Sequence, residues 1–251
     1  MILYEYPCNE RVRNFLRLES LFKRLFYFTD GTDAALHQVA IATLFDLLDV
    51  IERIDIRGMV LQDLERQRIA LEALREHPQV EAAMLDTVLK EIQQATTQLA
   101  DQGRVAHELR NNDWLSSVRG RLVVPGGCSA VDMPSFYGWQ NQRVAKRQAD
   151  IKGWSKSFMP LYEALALLLR ILRGAGERTA HTAVQGAYQE MLGGKSYQLL
   201  RVWVDPQYEV FPDMSANKYV ILVRFSSHCT EQKPSTVKLD LPFQLARCSL
   251  S

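Results

Sequence analysis

The sequence predicts an α+β fold: an N-terminal helical bundle domain followed by a small antiparallel β domain. Three observations carry this. Apolar residues recur at helical spacing from about Val12 to Leu172, the period changes to two after about Thr179, and Gly174-Ala175-Gly176 stands between the two regimes. The expected domains are residues 1–176 and 177–251. Ile2, Tyr4 and Tyr6 alternate in the opening segment, so residues 2–6 read as a strand that could join the β domain.

Asn9 is a fitting N-cap for a first helix running to about Phe28, with Val12, Phe15, Leu16, Phe22, Leu25 and Phe26 on its buried face. Thr29 to Asp33 form a turn that can cap a second helix from Ala34, whose apolar stripe includes Leu36, Ala40, Leu44, Leu47, Leu48 and Ile51. Gly58 is expected to separate it from a third helix carrying Leu61, Leu64 and Leu71 and stopped by His77-Pro78. A fourth covers about Val80 to Ala100 and is closed by Asp101-Gln102-Gly103. Four amphipathic helices joined by short turns describe a bundle.

Short helical turns follow at about 105–110 and 114–119. Pro125, Gly126, Gly127 and Pro134 then impose a defined loop. Helical pattern resumes over about 135–147 and 156–173. Beyond it, alternation predicts strands at about 197–204, 218–225 and 237–245. Gly193-Gly194, Asp205-Pro206 and Pro212-Asp213 read as the turns between them, giving one sheet joined mostly by hairpins. Pro242 suggests that the last strand lies at an edge.

A hydrophobic content of 47% with 24% charged residues is that of a globular chain. No run approaches about 18 consecutive apolar residues, so no membrane partner is expected. The opening lacks the features of a signal peptide, which implies a cytoplasmic protein. Cys8, Cys128, Cys229 and Cys248 are scattered and read as free thiols there. Residues 1–100 hold 11 Lys/Arg against 16 Asp/Glu, and residues 101–251 hold 19 against 13. The cationic second half could favour an acidic partner.

Catalytic patterns are missing. There is no phosphate-binding Gly-rich loop, dinucleotide fingerprint or Gly-x-Ser-x-Gly elbow. His37, His77, His107, His181 and His228 show no i, i+4 pair and no Cys at zinc-ligand spacing, so neither a metal site nor a cofactor is expected. Cys128 is the one candidate nucleophile, and it would need His107 or His181 brought to it as a base. A small packed residue after a glycine turn is the simpler reading. What remains is arginine, on elements of both halves, suited to bidentate recognition of carboxylates.

Several blocks together resemble the ZapD family of bacterial cell-division proteins. They are Tyr4-Glu5-Tyr6-Pro7-Cys8-Asn9-Glu10-Arg11-Val12-Arg13, Leu47 to Arg53, Glu65 to Arg68, Val118 to Ser129 with Asp132-Met133-Pro134, Asn217-Lys218-Tyr219 with Val223-Arg224-Phe225, and Leu239 to Phe243. The resemblance spans nearly the whole chain. It implies a non-enzymatic homodimer that binds the C-terminal tail of the tubulin-like division GTPase FtsZ, bundles its protofilaments and stabilises the division ring at midcell. Arg17, Arg53, Lys218 and Arg224 match basic positions of the family. Arg57, Arg119 and Arg121 are added here on charge and spacing. Asp113 and Val220 stand where some members are basic. The helical part is expected to form the dimer surface. Two other readings stay open: a nucleic-acid-binding module using an arginine-rich sheet with Tyr197, Trp203 and Tyr219, and an enzyme using Cys128.

Overall fold

A computed structural model of the protein describes residues 1–75, 81–102, 105–228 and 233–250. The elements, in order, are β1 (Ile2–Pro7), α1 (Glu10–Thr29), α2 (Ala34–Arg53), α3 (Ile56–Glu72), α4 (Ala82–Asp101), α5 (His107–Arg110), α6 (Asp113–Leu122), α7 (Pro134–Gln140), α8 (Val144–Ser155), α9 (Met159–Gly174), β2 (Arg178–Ala183), β3 (Ala187–Met191), β4 (Leu199–Val204), β5 (Val210–Ala216), β6 (Val220–Ser227) and β7 (Leu241–Cys248). The α+β architecture is the one the periodicity predicts. The predicted stop at His77-Pro78, the start at Val80, Gly103 and Cys229 lie outside the described residues.

The chain forms two compact units, one of residues 1–16 and 169–251 and the other of residues 17–168. The divisions fall inside α1 and α9.

In the helical unit, caps set the helix starts. Asp33 accepts from the Ala35 amide at 2.7 Å to open α2, and Asn112 accepts from the Leu115 amide at 3.0 Å to open α6. Asp55 is the N-cap of α3 and accepts from the Gly58 amide at 3.0 Å. Gly58 therefore lies inside the first turn of α3 and does not separate two helices; the capping carboxylate makes the break. α2 is long and apolar enough to cross a membrane by length and composition. Its Ala40, Ile41, Leu44, Leu47 and Leu48 are spent in the protein interior. α1 packs on α9, with the Phe22 and Phe26 rings 5.1 and 4.9 Å from Tyr162. Trp114, Trp139 and Trp154 form one aromatic cluster with Phe136.

The helix expected over 135–147 is two helices. Buried Arg147 donates to the carbonyls of Gln140, at 2.8 Å, and Gln142. These acceptors would serve a continuous helix's own ladder, so the guanidinium and the break belong together.

The β part is two sheets, not one: a four-stranded sheet in the order β1-β4-β7-β2 and a three-stranded sheet in the order β3-β6-β5, every pairing antiparallel. Among the described strands, only β5 and β6 are sequential neighbours within a sheet. β1 joins the β part as expected, at the edge beside β4. Leu200, Val202, Val204, Leu241, Phe243 and Leu245 of one sheet share a buried core with Val210, Met214, Ile221, Val223 and Phe225 of the other. β2 passes into β3 through Gln185 and Gly186, both at positive φ, as a tight turn demands. A Cβ on Gly186 would also stand 2.2 Å from the Val237 carbonyl oxygen.

Both proline expectations are corrected. Pro212 and Asp213 are not a turn but the middle of β5, an edge strand, where a missing N–H costs no ladder bond. Pro242 lies in β7, which is interior; its ladder with β4 ends one residue later, at Phe243 opposite Val204, so the proline is locally unpaired on that side. The strand expected from Val237 begins at Leu241.

Candidate functional site

The helical unit carries five of the seven expected cations, and their surroundings differ. Arg17 is exposed on α1, and Arg53 is exposed in the last turn of α2. Arg57 instead donates to the main-chain oxygens of Leu99 at 3.0 Å and Ala100 at 2.7 Å. It caps the negative end of α4. Arg119 is paired with Asp49 and lies 5.7 Å from the Phe45 ring. Arg121 is exposed at the end of α6, on the rim of two clefts.

One cleft, of about 390 Å³, is lined by Gln38, Leu122, Val124, Pro125 and Ser129 among others. The second, of about 590 Å³, is lined by Ser117, Asp132, Met133, Pro134 and others. The loop between them is built from tight turns: the Val124 amide donates to Arg121 at 3.1 Å and the Gly127 amide to Val124 at 2.9 Å. A Cβ on Gly127 would sit 2.5 Å from the Arg121 carbonyl oxygen, so glycine is required there.

In the β unit, Lys218 sits in the β5–β6 turn, its Nζ 4.8 Å from the Tyr219 ring centroid. Asn217 shapes this turn by accepting from the Tyr219 and Val220 amides at 2.8 and 3.0 Å. Arg224 points outward from β6, exposed, between Ala187 of β3 and Asp213 of β5 in register. Half-buried Val220 and Leu222 share its face with exposed Met191 of β3.

Three polar constellations were not singled out by the sequence reading. Glu5 of β1 receives two bonds from Arg173 and one from Arg201, all at 2.7–2.9 Å. Arg147 reaches His37 Nδ1 at 2.8 Å and the Thr32 carbonyl at 2.7 Å as well as the α7–α8 connection, while His37 Nε2 lies 2.8 Å from the Gly31 carbonyl. In this network Nδ1 accepts from the Arg147 guanidinium, and Nε2 faces the Gly31 carbonyl. Arg247 donates to Glu190 at 3.0 Å and to His181 Nε2 at 3.2 Å, and Tyr188 donates to Glu190 at 2.8 Å. Burial, then Arg247, lowers the His181 pKa. These partners lie up to 196 residues apart, and no local spacing signals them.

The aromatics of the nucleic-acid alternative do not share a face. Trp203 has the Arg178 and Arg201 guanidinium carbons 4.4 and 4.9 Å from its ring, Tyr197 packs on the inter-sheet core, and Tyr219 lies in the β5–β6 turn. Cys128 is not set up as a nucleophile: burial pushes its thiol upward in pKa, away from thiolate. His107 bonds to Asn111. Among the described residues no group of three or more His, Cys, Asp or Glu side chains could hold a metal ion.

Comparison with known proteins places the chain among cell division proteins. The profile of the ZapD family, described as a cell division protein, matches residues 16–224. The chain is 55% identical over 249 residues to the cell division protein ZapD of Bordetella petrii, covering 99% of this chain and 100% of that relative. It is 53% identical over 249 residues to the ZapD of Bordetella pertussis, covering 99% and 98%. The chain belongs to the ZapD family.

Proposed function

We propose that this chain binds the C-terminal tail of FtsZ, and that a homodimer of it crosslinks FtsZ protofilaments into bundles at the midcell division ring. It acts in the cytoplasm as a non-enzymatic adaptor, with neither cofactor nor nucleic acid. The observation that carries this reading is a set of exposed cations on ordered elements. Arg53, Arg121, Lys218 and Arg224 make no ion pair among the described residues, whereas Arg57 and Arg119 are engaged within the fold. Unspent guanidinium groups suit a short tail of acidic and apolar residues.

A single tail site cannot bridge two filaments, whereas a twofold dimer presents two identical sites. Modest affinity at each site suffices, because a polymer displays many tails and the second contact forms at high effective concentration. Charge contacts at the rim make binding salt-sensitive. The test is co-sedimentation with polymerised FtsZ, full-length or lacking its tail. Pelleting with the full-length polymer alone is expected, and pelleting with neither polymer, or equally with both, refutes tail binding.

A further inference from the structure

We infer that the free edge of β3 receives an extended, acidic and apolar peptide as an added antiparallel or parallel strand; the inference rests on the tail-binding reading above and assigns it a mode. The ladder phase shows which groups are open. The Phe225 amide donates to Gly186 at 2.8 Å and the Leu192 amide to Tyr219 at 2.7 Å. With Tyr188 opposite Val223 and Glu190 opposite Ile221, the even-numbered residues of β3 bond to β6. Gln189 and Met191 therefore turn their N–H and C=O away from β6, to the side where β3 has no neighbour in its sheet among the described strands. Neither has a backbone partner there among the described residues.

The side chains beside this edge have the matching chemistry. Met191 is 72% exposed, and Val220 and Leu222 continue an apolar strip across β6. Arg224 and Lys218 flank the strip, with Asp213 the one carboxylate opposite Arg224 in register. The net charge of these three groups is positive, which complements carboxylates on the incoming strand. Main-chain bonds would supply affinity without demanding a sequence, and the strip and cations would select it. The short, five-residue edge also limits self-pairing between copies.

The test uses the full chain and a synthetic peptide of the FtsZ C-terminal tail. Amide exchange should slow at Gln189 and Met191 on adding peptide, with little change at Tyr188 and Glu190, whose amides are already bonded. Gln189→Pro removes an outward donor while leaving the β6 ladder intact, and should weaken binding at least about tenfold. Gln189→Ala should stay within about twofold. Binding that is lost in Arg224→Glu but unchanged in Gln189→Pro, with no protection at Gln189 or Met191, overturns strand addition and leaves tail binding standing. A peptide that does not bind the unaltered chain overturns both.

Discussion

Glu5 grips Arg173 through two parallel bonds, Nε to Oε1 at 2.9 Å and Nη2 to Oε2 at 2.7 Å. The same carboxylate accepts from Arg201 at 2.9 Å. One residue near the start of the chain thus ties β1 to the end of α9 and to the adjacent strand β4. The side chains are only 17–21% exposed, so the pairing is shielded from solvent. Glu5→Gln keeps the shape but removes the carboxylate that the Arg173 and Arg201 guanidinium groups share. It should destabilise the chain by about 2 kcal/mol, read as a lower urea midpoint by circular dichroism. A change under about 0.5 kcal/mol would mean the pairing only decorates a strand held by its ladder.

Arg147 should be the more costly loss. It is 5% exposed and joins α2, the turn before α2, the α7–α8 connection and α8. Arg147→Met strands several buried acceptors and should cost roughly 3 kcal/mol. Arg147→Lys should recover only part, since one ammonium cannot span acceptors arranged for a planar fork. Near-ultraviolet circular dichroism of the adjoining tryptophan cluster would report both; equal stability of the Met variant and the parent would refute the hub.

Reversing charge should separate an arginine engaged within the fold from those proposed to bind the partner. Arg57→Glu places a carboxylate against the α4 terminal carbonyls and should lower stability by about 1–2 kcal/mol. Arg121→Glu and Arg224→Glu should leave the melting temperature within about 2 °C and reduce co-pelleting with FtsZ. Stable, fully pelleting variants at both positions would remove them from the partner surface.

Stability should fall at both ends of the pH range. The folded state disfavours His181 cation, so below its unfolded pKa, near 6.5, the unfolded chain binds more protons. Stability is therefore lost as pH falls from there through the lower folded value. Cys8 behaves oppositely: burial and then nearby Cys248 raise its pKa from 9.0 to about 11, so its contribution is complete below about 9 and lost as pH rises toward 11. Urea midpoints measured across pH on His181→Gln and Cys8→Ser should show a flatter acid limb and a flatter alkaline limb respectively. Unchanged slopes would assign the pH dependence to other groups.

Much of the fold was legible because helix caps and periodicity are local. Asn9 accepts from the Val12 amide at 2.8 Å to start α1 as its sequence suggests, and Asp33 does the same for α2. The strand of Tyr4 and Tyr6 was legible for the same reason. Misreadings arose where a local cue competed with a distant partner. Pro212 signals a turn until β6 is known to pair with β5 on its one occupied side, and Gly58 signals a break until Asp55 is seen to cap across it. At the candidate site, charge and family resemblance marked the cations, but neither told Arg57, tied to carbonyls some 40 residues away, from Arg121, exposed at a cleft.

The sequence by itself determined the helical and β regions, their order along the chain, the α+β class and the family, since each follows from short-range spacing or from blocks of residue identity. Only the tertiary structure decided the strand order β1-β4-β7-β2, the separate β3-β6-β5 sheet, the open edge at Gln189 and Met191, and which arginines remain unspent. Those outcomes depend on long-range ladders and ion pairs. Their formation is settled by which buried surfaces and charges can be satisfied together, and no local window of sequence contains both partners.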